Sequence, residues 1–367
     1  MPVESRPLAF DAPLQDYARE AETLWRALQD NNRDAAWAFK WNHPRFRGKT
    51  VGAVDPADLK QDDARLVVAH RHALNTWADL QRYVEAVQHD PAVRRFEEAV
   101  EAMIHGELGT LRKLLDQDPD LVRARSTRRH HATLLHYIAA NGVEGDRQRT
   151  PANAVEVATL LLERGAEPDA LADMYENQCT TLSMLVSSTP PADAGLQAAL
   201  AETLLDHGAL LDGPGTNWQG AVETALAFGF AETAQTLARR GPPLNDLAIA
   251  AGLGQTEEVK RLLPAANPLA RHTALALAAQ HGRLEVVRLL LDAGENPDRY
   301  NPEGFHAHST PLHQAVWAEH TDVVHLLVER GARLDLRDTV YEGTPLDWAV
   351  YGKKTAIAEY LRAHGGQ

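Results

Sequence analysis

Residues Thr310 to Ala332 read TPLHQAVWAEHTDVVHLLVERGA. Thr310-Pro311-Leu312-His313 has the form of a helix start, with Pro at the first helical position, where its missing N–H goes unused anyway. A short apolar helix is expected next, then a turn near His320. A second helix carries Val323, Val324, Leu326, Leu327 and Val328, and stops at Gly331, a residue type that ends helices in a left-handed conformation. The unit recurs. Thr344-Pro345-Leu346-Asp347 opens the next copy 34 residues on (344 against 310), and each copy places a glycine at the same offset, Gly331 and Gly365. Thr273-Ala274-Leu275-Ala276 repeats that offset to Gly294, and looser copies start near Glu98, Thr133, Thr180, Gly220 and Asp246.

A TPLH start followed by two helices at this period resembles the ankyrin-repeat family. The resemblance covers residue 91 to the end in about eight units. It implies an all-α solenoid of helix-turn-helix units joined by hairpin fingers, and a binding scaffold rather than a particular chemistry. Two domains are expected: a helical N-terminal cap over 1–90 and a repeat domain over 91–367. The fingers should be irregular. Units two and three are stretched at Asn141 to Pro151 and Ser188 to Ala194. Tight turns at Gly241 to Leu244 and Pro264 to Pro268 replace the fingers of units four and five.

The front segment has no repeat pattern. Leu14, Tyr17, Ala21, Leu24 and Leu28 are spaced for a helix, as are residues 35–41, 58–70 and a stretch capped at Asn75 that carries Trp77, Leu80, Tyr83 and Val87. A repeat array needs a cover for its first apolar face, and these helices suit that role. The run ARLVVAHRHALNTWADLQRYVEA ahead of the repeats resembles a group of bacterial ankyrin proteins.

A net charge of −14 and a pI near 5.6 argue against general affinity for nucleic acid or an anionic membrane. One cysteine, Cys179, fits a reducing compartment, hence the cytoplasm. No apolar leader stands at Met1 to Pro13, and no run is long enough for a membrane span. No glycine-rich phosphate loop or metal-ligand spacing is present, so no cofactor or metal is expected.

The resemblance places partner contacts at finger tips and at the ends of first helices. Counting from each TPLH start, those places hold Asn141, Gln178, Trp218, Phe228, His281, His306, His308, Trp317, Tyr341, Glu342 and Tyr351. Amphipathic rings dominate, as they do on binding surfaces. His136 and His313 fill the fourth place of the TPLH start, where the resemblance implies a structural hydrogen bond. Arg123, Arg125, Arg128 and Arg129 form a basic run in an acidic chain and could hold an anion, because Arg presents a planar fork. The expected function is therefore non-catalytic recognition of a protein or peptide. The alternative is a pocket for a small polar molecule such as a sugar, or an enzyme using a finger His or Glu342 as acid or base.

Overall fold

The computed structural model describes residues 8–213, 220–241 and 245–366. The chain forms two compact units, Met1–Asn217 and Trp218–Gln367, and each is described by itself.

In the N-terminal unit, α1 (Leu14–Gln29), α2 (Arg33–Asn42), α3 (Gln61–Arg71) and α4 (Trp77–His89) enclose one core built by Tyr17, Leu24, Leu28, Phe39, Val67, Val68, Leu80 and Val84. Three 3₁₀ turns between Pro44 and Asp58 fill the expected loop. α4 is capped by Thr76 rather than Asn75: its hydroxyl accepts from the Asp79 N–H, filling an otherwise orphaned donor. α5 (Pro91–Ile104) starts from the Asp90 cap directly after α4, packs on it, and pairs with α6 (Leu108–Gln117).

The first helix of unit two is a 3₁₀ segment, Leu134–Ala139, closed by Ala140 at φ 47°, and its partner is α7 (Ala154–Glu163). Strands β1 (Ala172–Met174) and β2 (Asn177–Cys179) form a finger hairpin whose two turn residues, Tyr175 and Glu176, both have positive φ. That is the backbone twist a two-residue hairpin requires. α8 (Thr181–Leu185) and α10 (Gln197–Asp206) make the third pair, and the stretched region between them folds as a short helix, α9 (Thr189–Asp193).

Among its described residues the C-terminal unit holds five helix pairs: α11 (Ala221–Ala227) with α12 (Ala231–Arg240), α13 (Leu247–Leu253) with α14 (Thr256–Leu262), α15 (Pro268–Gln280) with α16 (Leu284–Asp292), α17 (Pro311–Trp317) with α18 (Thr321–Glu329), and α19 (Pro345–Tyr351) with α20 (Thr355–Ala363). First helices pack on first helices along the series. Ala and Leu dominate their contacts, and Val286, Val287, Leu290, Val323, Leu327 and Leu361 of the second helices complete the core. Gly294, Gly331 and Gly365 take φ of 89°, 85° and 95° after the second helices, where a side chain would be strained.

Thr273 does not open its unit. Asn267 caps α15 and Pro268 stands at its first turn, so the tight Pro-rich turn starts the helix earlier and Thr273 bonds back to Leu269 within it. Residues 242–244 of the other expected tight turn lie outside the described residues.

α4 and α5 being packed together, deletion of residues 1–90 is expected to leave the apolar faces of α5 exposed. A 91–367 fragment should aggregate or melt well below the full chain in a thermal-shift assay. An equally stable, soluble fragment would contradict this.

Candidate functional site

α17 and α19 each end in a ring, and the pairing of the two helices brings the rings together. Trp317 and Tyr351 stack at 6.5 Å with planes 20° apart, and are 51% and 82% exposed. Trp348, one turn before the end of α19, meets Trp317 edge-on at 6.0 Å. His308, on the finger before α17, lies 6.0 Å from Trp348 and 6.1 Å from Tyr341. His306 continues the row from His308 to Phe228 at the end of α11. Six expected residues, Phe228, His306, His308, Trp317, Tyr341 and Tyr351, thus form one aromatic belt on the C-terminal unit. Glu342 is exposed beside Tyr341.

Asp338 fixes part of this belt. Its carboxylate accepts from the backbone N–H groups of Val340, Tyr341 and Gly343 and from the Trp348 indole at 2.9 Å. Burial alone would raise its pKa. The Tyr341 N–H, the indole and the other two N–H groups outweigh that and hold the carboxyl below its usual value. One side chain therefore sets both the finger carrying Tyr341 and Glu342 and the tilt of Trp348.

Burial lowers the pKa of both His306 and His308. His306 Nε2 lies 2.8 Å from the Ala227 carbonyl, so as a donor it is already engaged. His281 is buried, donates to Leu226 O at 2.8 Å, and has its pKa depressed to about 4 by that burial. It braces first helices and is not a contact residue, contrary to expectation: the position counted as a helix end is bonded to the end of α11, two units back. Trp218 lies outside the described residues.

Asn141 and Gln178 belong to the N-terminal unit. Asn141 donates to Met184 O and Ser187 Oγ and accepts from the Tyr175 hydroxyl at 2.7 Å; Gln178 bonds Asp173 on the facing strand. Tyr175, at the exposed hairpin tip, was not among the expected residues.

The four arginines do not share a site. Arg123 donates to Gly165 O, and Arg125 to His131 O and Leu171 O. Arg129 is exposed. Arg128 is buried and unavailable to an external anion, which corrects that expectation for this residue. Its guanidinium lies 4.1 Å from the Tyr83 ring centroid, donates to His72 O and Tyr83 Oη, and faces Glu144 and Glu97. Arg147 pairs with the same Glu97 and with Glu101. Burial alone would raise the Glu144 carboxyl. Arg128 first, then His130 and Arg147, override it and hold it well below the usual range. The stretch from Asn141 to Pro151 thus delivers Glu144 and Arg147 into an ionic core that ties α4, α5 and the first finger, residues 125–133, together.

A family described as ankyrin repeats matches residues 222–301 and 247–338 in three copies. Cyclin-dependent kinase 4 inhibitor B of Bos taurus is 34% identical over 125 residues, 33% of this chain and 92% of that protein. The chain belongs to the ankyrin-repeat family. An ankyrin repeat-containing protein of Schizosaccharomyces pombe is 40% identical over 70 residues, 19% of this chain. A fowlpox virus protein named as an ankyrin repeat protein is 38% identical over 93 residues, 25% of this chain. The matched stretches span 31% and 20% of those two proteins.

Ankyrin repeats are modules of protein–protein interaction, presenting an extended surface of fingers and first helices. The histidines at the repeat starts perform the expected bracing. His136 pairs with Thr133 Oγ1 at 2.9 Å and donates to Cys179 O; His313 pairs with Thr310 Oγ1 at 2.8 Å and donates to Gly343 O. Among the described residues no helix is long and apolar enough to cross a membrane, and no group of three or more His, Cys, Asp or Glu side chains is placed to hold a metal.

Proposed function

We propose that this ankyrin-repeat protein is a recognition protein that holds a protein or peptide segment against the aromatic belt of its C-terminal unit. The observation that carries the reading is the continuous row of rings from Phe228 through His306 and His308 to Trp348, Trp317 and Tyr351. Rings of this kind act as binding hot spots because they bury a large rigid area for little lost conformational freedom. The exposure of Trp317 and Tyr351 favours a macromolecular segment over a small sugar-like ligand, which needs an enclosed pocket. A relative named as a kinase inhibitor, whose name sets it on another protein, supports a protein partner. We infer a cytoplasmic setting, supported by the single cysteine, Cys179, being buried and free.

A peptide selected from a random phage-displayed library on the full chain provides the probe. Hydrogen exchange with that peptide bound is expected to slow at residues 304–308, 317–320 and 339–352 and to leave the outer helices α18 and α20 unchanged. Protection confined to α18 and α20 would place the site elsewhere.

A further inference from the structure

The segment from Arg33 to Lys49 is set apart in an acidic chain. No carboxylate lies between Asp34 and Asp55, while Lys40, Arg45, Arg47 and Lys49 fall in that gap. α2 places Trp37 and Trp41 one turn apart, and their indoles stack at 6.0 Å with 16° between planes. Trp41 is 63% exposed, more than Trp317 of the aromatic belt. Lys40 puts its ammonium 3.9 Å from the Trp41 ring centroid. That lysine is only 8% exposed, yet among the described residues it has no hydrogen bond and no ion pair. Its alkyl stem is covered, while its ammonium keeps access to solvent and so to a carboxylate from outside.

We propose that this face of α2 is a docking site for an acidic peptide segment carrying an apolar residue beside its carboxylate. The carboxylate pairs with Lys40, and the apolar side chain lies on the exposed indole of Trp41. Charge decides the kind of partner. Arg45 is already bonded to Asp58 and Arg47 to Glu176. The unpaired cation beside the indoles suits one or two carboxylates and is too little for a run of phosphates. Nucleic acid and anionic bilayers are also repelled by the net charge of −14, a penalty that grows with the length of the polyanion. This site stands on the N-terminal unit and does not depend on the reading of the aromatic belt.

The test is a phage-display selection of random peptides on the full chain at low salt. Fluorescein-labelled copies of the enriched peptides are then titrated by anisotropy into wild type, Trp41→Ala, Lys40→Met and Trp317→Ala. The expected result is an enriched class with adjacent acidic and apolar residues. Its affinity should fall about 30-fold in Trp41→Ala and about tenfold in Lys40→Met, as for a hot-spot ring and a charge-assisted pair. It should weaken with added salt and stay unchanged in Trp317→Ala. Lys40→Arg, which keeps the charge, should retain binding and stands in if Lys40→Met fails to fold. The proposal is overturned if no class depends on Trp41, or if that class is neutral or basic. Equal affinity of Lys40→Met and wild type would also overturn it. So would a labelled oligothymidine or phosphatidylserine vesicles binding with the same dependence on Trp41.

Discussion

Arg128→Ala is expected to destabilise the N-terminal unit by about 3–5 kcal/mol, the range for removing one partner of a buried ion pair. The guanidinium faces Glu97 and Glu144, stacks on Tyr83 and donates to His72 O. Without it Arg147 is the one guanidinium left to two buried carboxylates, with His130 and the Tyr137 hydroxyl beside Glu144, and the carbonyl of His72 loses its donor. Denaturant unfolding followed by circular dichroism measures the loss. The double variant Arg128→Met with Glu144→Gln should recover part of it, since the charge left behind is then gone. A loss below about 1 kcal/mol for Arg128→Ala would mean the core tolerates the missing cation, and the ionic tie between α4, α5 and the first finger would be wrong.

Acid is expected to destabilise this protein well before the ion-paired carboxylate of Glu144 titrates. Burial depresses His136, His281 and His313 to about 4 each, despite carbonyl acceptors that favour the charged form. The unfolded chain titrates near 6.5. A depressed folded pKa means that the native state binds fewer protons, so the stabilisation is complete above about pH 6.5 and is lost as pH falls toward 4. Each group contributes up to about 3 kcal/mol across that window. Glu144 is held low and adds a further loss at still lower pH. A melting-temperature series from pH 7.5 to 4.5 should fall steeply below about 6.5. His281→Gln, which keeps a donor toward Leu226 O, should flatten the slope. A flat profile down to pH 5 would contradict the buried neutral histidines.

The repeats were legible because their signals are local. A Thr-Pro-Leu start, an apolar second helix and a closing glycine all lie within one unit, so Thr310 and Thr344 could be read directly. Thr273 misled because the competing start, Asn267-Pro268, is also local and has the stronger cap. Six belt residues were legible from their place in the repeat. Trp348 was missed because it sits inside the helix, where position alone marks it as core; its role comes from Asp338, on the preceding finger. The arginine run misled for a related reason. Nearness in sequence suggested a shared site, but the partners of Arg128 lie in α4, in α5 and in the stretch after Asn141. The spacing of a single chain does not reveal contacts of that range.

The central claim is that the rings ending the first helices serve binding, whereas the leucines of the second helices serve the core. The direct measurement pairs melting temperature with affinity for a selected belt-binding peptide in Leu326→Ala and Trp317→Ala. Leu326 is buried in the core, and its truncation should cost about 2–5 kcal/mol with peptide affinity of the folded protein unchanged. Trp317→Ala should cost much less stability and weaken the peptide by about 30-fold or more. If Trp317→Ala instead lowers the melting temperature as much as Leu326→Ala and leaves the affinity of the folded protein intact, the tryptophan is core and the belt is not the binding surface.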